Sequence, residues 1–314
     1  MRRPRFVFSR LALALVLATA ATGLAGATPT SVPELFAGEF DDVGPQYLLL
    51  ANARPQPLEL WSDFEITGTS NATLVETDPT RSTITSAQLG GTWHFAPRPR
   101  WGGQLAFEAG FRGQTFRYGL LKNPKQQINF LEIDRNNFDL IGAHLAATWR
   151  RDAWLASAAL RGASFRNRAA DRVFYQEGSL EWQVFRQWRL GAKTTLTAGV
   201  EGALRWSHTD SYGLLVPGLN NRVEQALLAV FDRPLGTAWH VQPALRLQGT
   251  HYTHRDRQRD DVHASARLSV LRPVGRSGEL RVGFGYDQRE SSEAESLDFH
   301  KWDLTLGGRM QWRF

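Results

Sequence analysis

The chain has no cysteine, so neither a disulfide framework nor a thiolate metal site can be built. Beyond the N-terminus it has no run of the ~18 apolar residues that a membrane-spanning helix requires. Any bilayer crossing must therefore be made by strands. Charge of one sign is also scarce in blocks. The net charge of +6 is carried by basic residues scattered singly, and no basic run interleaved with aromatics points to nucleic acid. What the chain does hold is 11 Trp, 18 Phe and 28 Gly within a hydrophobic fraction of 42%, a fraction ordinary for a soluble protein.

The first segment bears on the compartment. Arg2, Arg3, Arg5 and Arg10 form a positive region, Leu11 to Ala21 an apolar one, and Ala25-Gly26-Ala27 an A-x-A cleavage arrangement. This is the layout of a secretory signal peptide over 1–27, too short to be an anchor. Residues 28–57 differ in composition from the long stretch C-terminal to them. They carry Pro29, Pro33, Pro45, Pro55 and Pro57 with acids Glu39, Asp41 and Asp42, and they read as a periplasmic lead-in or a plug folded into the next domain.

From Leu58 to Phe314 the pattern becomes two-residue alternation, which assigns alternate side chains to opposite faces of a sheet. Over the last stretch Trp302, Leu304, Leu306, Gly308, Met310, Trp312 and Phe314 oppose Lys301, Asp303, Thr305, Gly307, Arg309, Gln311 and Arg313. Comparable blocks cover about 58–70, 83–95, 103–117, 137–150, 153–166, 172–187, 195–207, 222–232, 238–253, 262–270 and 279–289. The period is blurred in 222–232 by Ala226, Leu227, Leu228 and Ala229. The expectation is an all-β protein: a 12-stranded antiparallel transmembrane β-barrel, an up-and-down meander, with 10 or 14 strands as alternatives.

The connections test that count independently, because outer-membrane barrels have short turns at the periplasmic end and longer loops outside. Those after even-numbered blocks are short: 96–102, 150–152, 188–192, 233–237 and 273–278. Those after odd-numbered blocks include 71–82, 118–136, 211–221 and 291–300, longer and polar. Aromatics cluster beside the short turns, at Trp93, Phe95, Trp149, Trp154, Phe231, Trp239, Trp312 and Phe314. Amphipathic rings favour the headgroup level, so these read as an interfacial girdle.

The terminal Phe314, preceded at alternating positions by Trp312, Met310, Leu306 and Leu304, resembles the C-terminal signature of bacterial outer-membrane proteins. That resemblance implies insertion by the barrel assembly machinery into the outer membrane of a Gram-negative cell, with outer-membrane lipid and lipopolysaccharide as surroundings. Ser70-Asn71, a polar loop with Asp78, and Ser82 to Ile84 are loosely similar to the first hairpin of the type 2 β-barrel porin family. Twelve-stranded oligosaccharide porins compare in size and in inward arginines.

Function then rests on the inward face. The alternation places Arg112, Arg161, Arg205, Arg246, Arg267, Arg281, Arg289 and Arg309 there, with Asp63, Glu65, Glu108, Glu181, Glu201, Asp287 and Asp303. Two readings compete. Arg246, Arg267, Arg281 and Arg309 on four consecutive strands would form a basic track in a porin-like passive channel with mild preference for small anionic solutes. Alternatively the opposed charges pair, for example Arg205 with Glu181 or Glu201 and Arg309 with Asp287 or Asp303, and the barrel is a closed anchor or assembly partner. A third class, an outer-membrane hydrolase, would use His208, His251, His254 or His300 near Asp210, Asp256 and Asp298, but no catalytic spacing is present. The expectation is no enzyme, no cofactor and no metal; solute and oligomeric state are not readable.

Overall fold

The computed structural model describes residues 57–72, 74, 81–119, 137–191, 193–211, 214–236, 238–254, 259–275, 277–293 and 298–314. The expected signal segment 1–27, and all of the expected lead-in except Pro57, lie outside the described residues.

Twelve long strands succeed one another: β1 (Leu58–Thr69), β2 (Ser82–His94), β3 (Gly103–Tyr118), β4 (Phe138–Arg151), β5 (Trp154–Asn167), β6 (Arg172–Arg189), β7 (Thr195–Ser211), β8 (Arg222–Leu235), β9 (Trp239–Tyr252), β10 (Asp260–Val274), β11 (Gly278–Ser291) and β12 (Phe299–Arg313). Each pairs antiparallel with the next. The first also pairs with the last, from Glu59 opposite Arg313 to Thr69 opposite Asp303. The sheet is thus a closed 12-stranded antiparallel barrel, and no helix occurs among the described residues. Closure leaves no unpaired edge, the condition lipid imposes on strands.

Two short strands lie beside this set. Arg98–Arg100 pairs with the start of β3 and extends that hairpin. It turns through Trp101 and Gly102, both at positive φ (50° and 71°), the backbone signs of a type I′ turn. Leu214–Pro217 pairs back on the end of β7, inside the expected loop 211–221. The expected turn residues 233–235 belong instead to β8, so the connections at this end are tighter than alternation alone indicated. The end bearing Leu58 and Phe314, the near end, carries the short turns after the even-numbered strands; at the far end the β5–β6 turn, 168–171, is also short. The long connections lie at the far end.

The outer surface is an apolar belt. Ile141 is 73% exposed, Leu89 68%, Leu145 59% and Leu304 61%, each on the opposite register from the charged rows. In water such a surface would cost about 25 cal/mol for each Å² left uncovered. The inner surface is mostly polar. The blurred period of 222–232 has its cause here: Leu228 and Val230 point inward and pack with Leu155, Phe185 and Ala244, so both faces of β8 are apolar near the near end. A second inward cluster, Phe138, Leu140 and Phe165, stands toward the far end with Phe116 stacked on Phe138 at 4.5 Å.

Candidate functional site in the barrel lumen

Strand pairing places the expected inward residues on one continuous inner face. His94, Glu108 and Ala146 are opposite one another on β2, β3 and β4, and Arg267, Gly285 and Asp303 on β10, β11 and β12. What the register brings together is largely ion pairs. On the β5–β9 wall a chain of them runs from Arg161 to Glu181 (2.8 Å), then to Arg205, whose guanidinium also meets Glu177 (2.7 Å) and Glu224 (2.9 Å). Arg222 closes the chain on Glu177 at 3.0 Å and also bonds Glu224, while the Tyr175 hydroxyl donates to Glu177. The Arg205 side chain is 2% exposed. A cation so desolvated is tolerable only with carboxylates around it. Arg246 reaches across β8 to Glu201 on β7 at 2.7 Å.

The opposite wall repeats the theme. Arg281 of β11 crosses β12 to reach Asp63 (3.3 Å) and Glu65 (3.0 Å) on β1. It does so over Gly307, where a Cβ would stand 3.2 Å from its Nη2. Arg309 lies over the ring of Trp61 at 5.2 Å, and Trp61 itself lies flat against Gly90, where a Cβ would come within 2.3 Å of the indole. Lys301 bonds Asp303 at 3.1 Å and stands 4.0 Å from Asp287, which also faces His263 at 3.3 Å. Near the near end His94 bridges Glu59 (3.3 Å) and Glu108 (3.4 Å), with His144 3.5 Å from Glu108.

Of the expected pairs, Arg205 with Glu181 is present at 3.4 Å, whereas Glu201 goes to Arg246. Asp287 and Asp303 converge on Lys301, and Arg309 stacks on Trp61. The sequence reading did not single out Glu59, Trp61, Glu177, Arg222, Glu224 or Lys301. All six lie on the inward register. Strict parity applied to every residue of 58–70, 172–187 and the final stretch would have included Glu59, Trp61, Glu177 and Lys301, whereas on β8 the apolar inward residues hid the period.

Between the walls lies a cavity leaving about 130 Å³ for the centres of water-sized molecules, bounded by Trp61, Glu108, His144, Arg161, Arg246 and Arg309, among others. Its lining mixes cations and carboxylates, so it suits water and small polar solutes. It offers no metal centre: no group of three metal-ligating side chains forms among the described residues. Of the histidines weighed for hydrolysis, His251 bonds Asp260 at 2.7 Å on the exposed outer face, and Asp298 accepts the Ser291 amide.

The girdle residues lie on the outer face toward the near end. Trp93, Phe95, Trp154, Trp239, Trp312 and Phe314 are exposed there, Phe231 is half-buried, and the Trp149 indole donates to the Arg100 carbonyl.

No family model matches the chain, and no curated protein matches it. Solved structures match in fold. An outer membrane channel from Pseudomonas putida F1 gives a TM-score of 0.54 at 10% identity, over 83% of this chain and 97% of that one. The beta domain of the Bordetella autotransporter Brka gives 0.47 at 14% identity, over 82% and 100%. The NanC porin gives 0.45 at 8%, over 79% and 98%. At such identities what is shared is the closed antiparallel barrel.

Proposed function

We propose that this barrel sits in an outer membrane and acts as a narrow, porin-like passive diffusion channel with mild preference for small anionic solutes. The membrane reading is supported by the apolar outer belt, the girdle of exposed rings and the alternation of short and long connections. The single observation that carries the channel reading is the water-sized cavity inside a closed lumen whose walls are polar and charged of both signs. The anion preference draws on the β10–β12 wall. There the inward set is Arg267, Arg281, Arg289, Lys301, Arg309 and Arg313, six cations, against Asp261, Glu279, Asp287 and Asp303, four acids. Small inward residues (Ser265, Ser269, Gly283, Gly285 and Gly307) leave room along the same wall. In this reading the near end faces the periplasm, the assembly machinery inserts the barrel, and lipid and lipopolysaccharide surround it.

Conductance of the purified protein in a planar lipid bilayer tests the proposal. Discrete channels are expected, and replacing Arg246, Arg267 and Arg281 together by Gln should shift the reversal potential toward cations. Absence of discrete conductance, including after deletion of residues 28–57, would refute the channel. It would favour the second reading, a closed structural barrel, which two observations support: Arg205 held by three carboxylates and the packed apolar cluster at the near end. Hydrolysis of phospholipid and peptide substrates in detergent is expected to be absent.

A further inference from the structure

Arg161, Arg205, Arg246, Arg281 and Arg309 in the lumen stand against carboxylates or a ring. At the outer near rim carboxylate partners are scarce. Arg98, Arg100, Arg151, Arg186, Arg233 and Arg272 all fall on the outward register beside the short turns. The outward acid beside them is Asp152, 3.7 Å from Arg151. Among the described residues no carboxylate lies within ion-pair distance of Arg98, Arg100, Arg186, Arg233 or Arg272. At the far rim, by contrast, three outward arginines stand against carboxylates: Arg117 and Arg168 with Asp139 (3.1 and 2.7 Å) and Arg166 with Asp171 (2.8 Å).

Two of the near-rim arginines are held in place by the girdle. Arg186 lies over the rings of both Trp154 (5.3 Å) and Trp188 (5.4 Å), and Arg272 over Trp239 (5.1 Å). The Arg186 Nε is enclosed and has no acceptor among the described residues. A guanidinium has five N–H donors and no acceptor of its own, so enclosing a donor without a partner is unfavourable. Stacking between indoles fixes the plane of the fork and leaves its charge uncompensated. The ligand that completes such a site is an oxyanion at the depth of the aromatic girdle, which is the depth of lipid phosphates.

We propose that the near rim is a docking belt for anionic phospholipids, with Arg186 between Trp154 and Trp188 as its best-formed headgroup site and Arg272 beside Trp239 as a second. This rests on the membrane-barrel reading and adds to it a lipid class and a leaflet. The excess of positive charge selects anionic over zwitterionic headgroups, and planar Arg receives two phosphate oxygens at once.

Native mass spectrometry of the full chain in detergent, titrated with phosphatidylglycerol or phosphatidylcholine, tests the belt. Preferential retention of phosphatidylglycerol is expected. Arg186→Gln and Arg272→Gln should each weaken that preference about fivefold, the equivalent of the attraction of one arginine near an anionic surface. Arg117→Gln at the far rim should leave it unchanged. Equal retention of the two lipids, or equal preference in wild type and the Arg186→Gln/Arg272→Gln double variant, would overturn the proposal. A separate arm measures quenching of tryptophan fluorescence by brominated phosphatidylcholine in vesicles. Quenching without a phosphatidylglycerol preference removes the belt and leaves the membrane barrel standing, whereas no quenching in any vesicle removes both.

Discussion

Two populations of arginine divide this molecule. Arg161, Arg205, Arg222, Arg246 and Arg281 point into the lumen and stand within 3.3 Å of one carboxylate or more. Arg186 and Arg272 point outward at the near rim and stand against indoles instead. The same side chain thus serves two ends. Inside, it fills and rigidifies a polar interior by satisfying acids. Outside, it keeps its charge available. Burial decides which: a lumenal guanidinium removed from water must find its counter-ion within the chain, while a rim guanidinium can leave that task to the surroundings.

The largest expected break in this comparison comes from Arg205→Met. It leaves Glu177, Glu181 and Glu224 close together in a buried setting, with Arg161 and Arg222 as the remaining cations. The expected loss is about 3–5 kcal/mol, read as a lower urea midpoint for loss of the heat-resistant folded form on a semi-native gel. Arg186→Met at the rim, made in parallel, should cost less than about 1 kcal/mol. Comparable losses at both sites would mean that the lumenal network carries no special share of stability.

The same residues show how far this division was legible before the fold was known. Strict alternation in Lys301 to Phe314 and in the blocks before it assigns each charged residue a face, and the short connections after even blocks give the strand count. Partners were a different matter. Arg281 meets Glu65 across 216 positions of sequence, and the contact exists only because the barrel closes β12 onto β1. Glu224 falls in the 222–232 block, whose period is blurred, and Glu177, inside the 172–187 block, was not singled out. Arg98, Arg100, Arg151 and Arg233 were visible as turn residues, whereas Arg186 and Arg272 fall just outside the expected connections 188–192 and 273–278. That, among the described residues, all of these but Arg151 have no carboxylate within ion-pair distance was not legible, because it depends on which acids the register turns inward.

A middle-sized effect is expected at Gly307. Its inner face is the bridge over which Arg281 passes, so Gly307→Val places a side chain 3.2 Å from the guanidinium and 3.0 Å from the Phe64 carbonyl. Pushing Arg281 away from Asp63 and Glu65 leaves partly buried carboxylates short of a donor, at about 1–3 kcal/mol. A double-mutant cycle isolates that cause from local crowding. In the Gly307→Val background, Arg281→Gln should add little further destabilisation. Full additivity would show that the valine acts on the backbone and that the bridge does not depend on the glycine.

The smallest expected effect, and the sharpest on the rim side, is Arg186→Lys. Lysine keeps the positive charge, and its aliphatic stem can still lie along Trp154 and Trp188. It cannot stack as a plane or present two parallel N–H groups to one phosphate. If net charge alone attracted anionic lipid, Lys would match the wild type in phosphatidylglycerol retention. If the indole-stacked plane matters, Lys should fall about twofold, short of the about fivefold loss expected for Gln. Retention by the lysine variant equal to wild type would reduce the Arg186 site to one more charge in a diffuse basic rim. An intermediate value would show that the tryptophans orient the arginine as well as marking the headgroup level.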